Sequence, residues 1–196
     1  DNLPVQNRPL GTGLDRRRDD FMDIGQTGAP AQPVGWASSQ LVDLPDAPVP
    51  GQASHVQYLG RRDSGEPLGI YAILNRSDLS DAPRQRLPDP HGWEGGLGYD
   101  RTHLLGHQFG GSRNLDNLVT ASHATNRYGS GPLRPRAMLD YEMQVRELLS
   151  NGHTSAYRVI PIYQGQPMPV AVILQSVGSE GGPPINVVIR NGTHHR

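Results

Sequence analysis

The chain has no cysteine among its 196 residues. This absence excludes a disulfide framework, a zinc–thiolate site and a cysteine nucleophile, although it does not fix the compartment. Lysine is also missing, so all 18 basic residues are arginines. The simpler explanation of this bias is a GC-rich genome. A functional explanation, that guanidinium groups bind phosphate oxygens through two N–H donors, is compatible with it.

Long hydrophobic runs are missing as well. No apolar stretch approaches the length of about 18 residues that a membrane-spanning helix needs. Hydrophobic residues make up only 35% of the chain, while 24 glycines and 18 prolines indicate many turns and loops. The length suits a single domain with at most a tail. The first residue is Asp1 and no apolar leader follows, so we expect a processed protein or a domain of a longer one.

Positive charge is scarce overall but is unevenly distributed. The formal net charge is −1, which argues weakly against a protein that binds nucleic acid. Residues 1–100 hold 9 arginines and 14 acidic residues, whereas residues 101–196 hold 9 arginines and 5 acidic residues. The basic half carries the motifs described below. The acidic half either lies away from a substrate or screens it.

The pattern of the chain predicts an N-terminal arm followed by one domain. Residues 1–35 are rich in proline and glycine and show no lasting periodicity, so we assign them to an arm or linker and residues 36–196 to the domain. The triplet Arg16–Arg18 is flanked by acids, which weakens it as a nucleic-acid contact. Alternation predicts strands at 55–59, 68–74, 97–105, 117–121, 156–163, 169–175 and 185–190.

One segment has the spacing of an amphipathic helix. Met138, Tyr141, Val145, Leu148 and Leu149 form one apolar stripe within residues 137–150. Pro135 precedes this segment and Asn151-Gly152 follows it, as start and stop signals do.

The segment 99–111, with the sequence YDRTHLLGHQFGG, suggests phosphodiester chemistry. His103 is the candidate general base, because a neutral imidazole with a pKa of about 6.5 can take a proton from water at physiological pH. Arg101 lies two residues earlier, so in a strand both side chains point to one face. Arg101 can then hold a phosphate beside the water that His103 activates. The alternatives are a structural histidine and a surface ion pair.

Four further residues complete the candidate site. Asn126 offers a neutral oxygen for a hard cation such as Mg²⁺, and its alternative role is a cap or turn. Asn117 either orients the attacking water or the imidazole ring, or caps a turn. Glu142 is placed to accept hydrogen bonds from waters around the ion, and Arg146 lies one helical turn further on. The simpler reading of these last two residues is a helix pair worth about 0.3–0.5 kcal/mol.

Other polar residues are weaker candidates. The remaining histidines, among them His107, His123, His153, His194 and His195, lack a regular spacing for zinc ligands. Further phosphate contacts are expected from arginines of the basic half, namely Arg113, Arg127, Arg134 and Arg136.

Taken together, these residues resemble the DNA/RNA non-specific endonuclease family of the ββα-metal superfamily, and in particular its secreted and competence-type bacterial branch. The resemblance covers roughly residues 55–191. It rests on Asp100-Arg101-Thr102-His103 with an apolar pair after it, on Gly110-Gly111, on Asn117–Thr120, on the helix carrying Glu142 and Arg146, and on the closing segment 185–191. Thr102 replaces the common glycine, and Ala121 stands where some relatives carry an amide.

The resemblance implies an α+β fold with a central antiparallel sheet and a ββα-metal (His-Me finger) motif. It assigns the metal to Asn126, nine residues after Asn117, with Mg²⁺ expected and Mn²⁺ as an alternative. It implies hydrolysis of DNA, and of RNA as a further substrate, with little sequence preference and with 5′-phosphate products. Such a site contacts the backbone and does not distinguish bases.

Two biological settings and one rival function remain open from the sequence. The enzyme is either secreted for scavenging or delivered into a target cell as a bacterial toxin domain. The second setting would entail an immunity or inhibitor protein. No membrane partner is expected. The rival is a non-catalytic module that binds nucleic acid or protein and retains the nuclease fold; the joint presence of His103, Asn126 and Glu142 disfavours it.

Overall fold

The part of the chain described by the computed structural model covers residues 21–23, 43–95, 98–127 and 136–192, and it contains two antiparallel sheets, two α-helices and three short 3₁₀ helices. The larger sheet has six strands in the spatial order Phe21–Asp23, Ile185–Arg190, Ala171–Gly178, Ser155–Ile162, Ile70–Leu74 and His55–Tyr58, and the smaller one pairs Tyr99–His103 with Leu118–Ser122. The predicted α+β class with a central antiparallel sheet is therefore confirmed.

Five strands of the large sheet follow the predicted bounds to within a few residues, whereas the sixth, Phe21–Asp23, lies in the segment predicted to be an arm and was not predicted as a strand. Its strands are β1 (Phe21–Asp23), β2 (His55–Tyr58), β3 (Ile70–Leu74), β6 (Ser155–Ile162), β7 (Ala171–Gly178) and β8 (Ile185–Arg190). The meander β6-β7-β8 is antiparallel throughout. Strand β7 lies in the interior of the sheet and nearly all its residues are buried, as expected for a strand covered on both faces.

The helix predicted from the apolar stripe is α2 (Met138–Ser150). It packs against β6 and β7, and its residues Met138, Tyr141, Val145 and Leu149 are at most 2% exposed. Burial of each such side chain contributes about 1.5–3 kcal/mol. Because this packing fixes the helix on the sheet, it also fixes the two polar residues that the helix carries beside the stripe.

The small sheet stands beside this core. It consists of β4 (Tyr99–His103) and β5 (Leu118–Ser122), and α1 (His123–Asn126) follows directly. Leu104 and Leu105, which come immediately after β4, are fully buried in the main core. The end of β4 is thus anchored in the core through the two residues that follow it.

Part of the N-terminal arm is described. Phe21–Asp23 pairs with β8 as an edge strand, while the basic triplet Arg16–Arg18 lies outside the described residues. The boundary at residue 35 stays a prediction. No helix in the described ranges is long and apolar enough to cross a membrane.

Candidate active site

The strands β4 and β5 and the helix α1 form a ββα unit. Arg101 pairs with Thr120 and His103 with Leu118 across the two strands. The Ser122 hydroxyl then caps α1 by accepting a hydrogen bond from the Thr125 amide at 3.2 Å. This arrangement places the predicted base, His103, at the end of one strand and the predicted metal ligand, Asn126, at the end of the helix.

Five of the six predicted site residues line one cavity of about 530 Å³. They are Arg101, His103, Asn126, Glu142 and Arg146. Several residues between 80 and 87 also line the cavity, and so do two of the arginines predicted to contact phosphate, Arg113 and Arg127. Arg136 does not line it, and Arg134 lies outside the described residues. The sixth site residue, Asn117, lies elsewhere.

His103 lies half-buried in this cavity. In the described part of the chain its Nε2 atom has no hydrogen-bond partner. Burial, together with the nearby positive charges of His107 and Arg84, lowers the pKa of His103 to about 4. The ring is therefore neutral at physiological pH and has a nitrogen that can accept a proton.

Asp100 fixes the orientation of Asn126. Its buried carboxylate accepts a hydrogen bond from the Asn126 Nδ2 atom at 2.7 Å. It also pairs with His123 at 2.7 Å and with Arg127 at 3.0 Å, both in or next to α1. The bond uses the amide nitrogen of Asn126 and so leaves the amide oxygen as the group that can bind a cation. The sequence motif contained Asp100, but sequence reasoning did not assign it this role.

Glu142 is buried beside the cavity, with 9% of its surface exposed. Burial raises its pKa to about 7, against the opposing effects of a 3.1 Å hydrogen bond from Gln108 and of the Arg84 charge. A Cβ atom on Gly106 would lie 2.9 Å from Glu142 Oε1, so glycine is what allows the carboxylate to approach this loop. The carboxyl thus titrates near neutral pH before any cation binds.

Arg101 and Arg146, the two arginines among the six predicted site residues, are both paired with aspartates. Arg101 donates from Nε and Nη2 to Asp89, at 2.7 and 2.5 Å. Arg146 donates from Nη2 to Asp81 at 2.7 Å. The partner that the structure gives Arg146 is therefore Asp81, and not Glu142 as in the simple helix-pair interpretation.

Asn117 is fully buried and bonds to the backbone on both sides of its amide. Its oxygen accepts from Leu105 N at 2.8 Å, and its nitrogen donates to Leu105 O at 3.1 Å and Ser112 O at 2.8 Å. Of the roles left open by the sequence, this geometry supports the one in a turn. Gly111 packs beside it, where a Cβ would lie 1.7 Å from the Leu105 carbonyl oxygen.

A cage of metal-binding side chains is not found in the described ranges, where no three His, Cys, Asp or Glu residues cluster to hold an ion. Three of the histidines considered as zinc ligands are separately engaged: His107 with the Ala82 carbonyl, His123 with Asp100, and His153 with Glu180. The other two, His194 and His195, lie outside the described residues. A cation in the cavity therefore has to rely on few protein ligands.

Arg84 was missed by the sequence reasoning. It lines the cavity, and its charge acts on both His103 and Glu142. It comes from a proline-containing loop with no periodicity, so nothing in the local sequence distinguished it from a surface arginine.

The chain was compared with known proteins. The profile of the DNA/RNA non-specific endonuclease family matches residues 55–176. Among curated proteins no match is found. NucA from Streptococcus agalactiae, solved with a magnesium ion bound, is similar with 25% identity and a TM-score of 0.65 over 75% of this chain and 76% of that one.

Two further solved structures share the fold. The Sda1 nuclease with a bound zinc ion has 18% identity and a TM-score of 0.67, over 93% of this chain and 94% of that one. A protein described as an extracellular endonuclease has 21% identity and a TM-score of 0.59, over 73% of this chain and 81% of that one. Since the family profile covers more than half of the chain and includes the ββα unit, this chain belongs to the DNA/RNA non-specific endonuclease family.

Proposed function

We propose that the protein is a metal-dependent endonuclease that hydrolyses DNA, and RNA as a further substrate, with little sequence preference. The observation that carries this proposal is the Nε2 atom of His103, which has no hydrogen-bond partner among the described residues and lies in a cavity shared with Asn126 and Glu142. A neutral base, an oxygen ligand and an acceptor for water hydrogen bonds are the groups that metal-assisted hydrolysis requires.

The donor set fits a hydrated divalent cation. Mg²⁺ binds oxygen ligands and retains several waters, so one amide oxygen from Asn126 and a nearby carboxylate suit it better than a full protein cage. Asp100, by holding the amide nitrogen, keeps the Asn126 oxygen available. When bound, the cation supplies positive charge that stabilises the transition state and the departing 3′ oxygen.

The residues of the chain perform the remaining steps. His103 Nε2 accepts a proton from the attacking water, whose oxygen bonds to phosphorus as the bond to the 3′ oxygen breaks. The 3′ oxygen takes a proton from solvent, which leaves a 5′-phosphate product. Arg84, Arg101 and Arg146 supply positive charge along the cavity for phosphate oxygens. Glu142 accepts hydrogen bonds from waters in the site, which it does best as a carboxylate.

Mg²⁺ is the cation we propose, with Mn²⁺ as an alternative. The magnesium ion in the similar NucA structure supports this choice. Because the Sda1 structure holds a zinc ion, Zn²⁺ should be tested as well. A plasmid-cleavage assay with Mg²⁺, Mn²⁺, Zn²⁺ or EDTA decides the matter. We expect nicking and linearisation with Mg²⁺ and none with EDTA, and end-labelling should find 5′-phosphates. Cleavage that persists in EDTA would refute a metal-dependent mechanism.

For the biological setting we propose a protein that acts outside the producing cell. The similarity to proteins described as extracellular nucleases supports secretion. Delivery as a toxin domain is the second setting, and a cognate immunity protein would accompany it. Co-purification with a tight acidic partner would favour delivery, and protection of the producing cell by that partner would establish it. The rival of a non-catalytic binding module predicts nucleic-acid binding without cleavage at any metal concentration.

A further inference from the structure

One loop holds both of the paired arginines. Residues 79–93, which we call the wall loop, contain no regular strand or α-helix, and the first half of this segment, including Asp81 and Arg84, lines the cavity. Asp81, near the start of this loop, pairs with Arg146 of α2. Asp89, near its end, pairs with Arg101 of β4. Two acidic residues of one loop thus neutralise two cavity arginines that come from different elements.

These aspartates occupy the donors that a phosphate would use. Arg101 donates through both Nε and Nη2 to a single oxygen of Asp89. Presenting two adjacent N–H groups to an oxyanion is how arginine binds phosphate as well as carboxylate. A substrate phosphate therefore competes with Asp89 for the same edge of the guanidinium group, and the same holds for Asp81 at Nη2 of Arg146.

A phosphate can displace both aspartates from their arginines. The side chains of Asp81 and Asp89 are 90% and 61% exposed, whereas those of their arginine partners are 26% and 30% exposed. Exposed ion pairs are worth only about 0.2–1 kcal/mol. The carboxylates can therefore turn into solvent at small cost, while the arginines remain beside the cavity.

Arg101 has a second support that does not depend on Asp89. Its guanidinium carbon lies 4.3 Å from the centroid of the Trp93 ring. Stacking on an aromatic face of this kind holds a guanidinium group in place while leaving its N–H edge free to bind. Loss of the Asp89 carboxylate should consequently free the donors of Arg101 without releasing its side chain.

We propose that Asp81 and Asp89 are anionic placeholders, which occupy the phosphate positions of Arg146 and Arg101 until substrate displaces them. By this competition the two aspartates set the strength and the salt dependence of nucleic-acid binding. This inference rests on the proposed function. It also gives the acidic half of the chain a role at the substrate site, where it reduces the positive charge that a polyanion meets. Binding is weakened in exchange for easier release of a cleaved strand.

Binding measurements with Asp89→Asn, Asp81→Asn and the double variant test the inference. All are made in the His103→Ala background and in EDTA, with a duplex DNA across a salt series, so that no cleavage occurs. We expect each variant to bind about 1.5- to fivefold more tightly at low salt, the change that corresponds to the loss of one exposed ion pair. The slope of log K against log salt should steepen by roughly 0.9 for each freed arginine, and by roughly twice that in the double variant.

Two matched controls separate this role from others. Asp63→Asn removes the same charge from an exposed turn that does not line the cavity, and it should leave the slope unchanged. Asp89→Glu keeps the charge and should bind as the parent does. If the aspartates merely brace the arginines, Asp89→Asn and Asp81→Asn will bind more weakly. Weaker or unchanged binding overturns the proposal.

The failure of this inference differs from a failure of the proposed function. If the unmodified protein cleaves plasmid with Mg²⁺ but the asparagine variants do not bind more tightly than Asp63→Asn, only the placeholder role is wrong. If the unmodified protein neither cleaves nor binds DNA, both are wrong.

Discussion

The ββα unit and the wall loop both contribute residues to one cavity, yet they are held in place by different interactions. Asp100 of the ββα unit and Asn117, which directly precedes β5, are buried, and each makes several hydrogen bonds or ion pairs within the fold. In the wall loop, Asp81 and Asp89 are exposed and each pairs with one arginine. Proton transfer and cation binding need fixed positions, whereas phosphate binding has to be reversible along a polymer. In the proposed function, proton transfer and cation binding fall to residues of the ββα unit, and the exposed aspartates of the wall loop make phosphate binding at Arg101 and Arg146 reversible.

The largest effect on activity should come from His103, in the ββα unit. His103→Ala is expected to reduce cleavage by about 10²–10⁴-fold, because a positioned base contributes that much to proton transfer. The fold should persist, since His103 is only half-buried and its Nε2 bonds to no described residue. Plasmid cleavage and circular dichroism measure the two quantities. Activity near that of the parent in a folded variant would exclude His103 as the base.

The next effect concerns the cation. Asn126→Ala should abolish metal-dependent activity, because it removes the proposed protein ligand. Asp100→Asn should weaken metal binding by about 10–100-fold, because residues that orient a ligand usually matter to that extent. Calorimetric titration with Mg²⁺ or Mn²⁺ checks both. Unchanged affinity in the two variants would mean that the ion binds elsewhere in the cavity.

A third test uses the pH dependence of stability. Burial raises the pKa of Glu142 to about 7 from 4.5, so its contribution to stability is full below pH 4.5 and is lost as the pH rises to about 7. Relative to Glu142→Gln, which does not titrate, the protein should lose up to about 3 kcal/mol across this window. Urea denaturation in EDTA at several pH values gives the difference.

The lowered pKa of His103 makes stability depend on pH in the opposite direction. Its pKa is lowered to about 4, so the stability due to its neutral ring is present above pH 6.5 and is lost as the pH falls to about 4. Comparison with Glu142→Gln at each pH cancels this effect, because both proteins retain His103. A difference between them that does not change with pH would show that the Glu142 carboxyl is not desolvated.

The smallest effects concern stability and compare buried Asn117 with exposed Asp89. Asn117→Ala leaves buried backbone groups without partners and should lower the free energy of unfolding by about 1–3 kcal/mol. Asp89→Asn breaks an exposed pair and should change it by less than about 1 kcal/mol. Chemical denaturation of both variants at one pH is the measurement. Equal losses would mean that the wall loop is as firmly held as the buried turn that precedes β5.

Much of this protein could be predicted from the sequence because its signals are local. Alternation of apolar residues predicted the strands, and the stripe of Met138, Tyr141, Val145 and Leu149 predicted α2. The two-residue spacing of Arg101 and His103 placed them on one face of β4 and in one cavity. The spacing cannot show the environment, so neither the lowered pKa of His103 nor the raised pKa of Glu142 was foreseen.

The sequence by itself determined which chemical groups the site contains, since the types and order of His103, Asn126, Glu142 and the arginines are readable without a structure. Tertiary structure alone decided which of these groups are free and which are neutralised. Asp81 lies 65 residues from Arg146, and Asp89 lies 12 from Arg101, in a loop without periodicity. Electrostatic pairing depends on distance in space, which local sequence patterns do not encode. For the same reason, only the fold revealed that Asn117 braces a turn and that Asp100 orients Asn126.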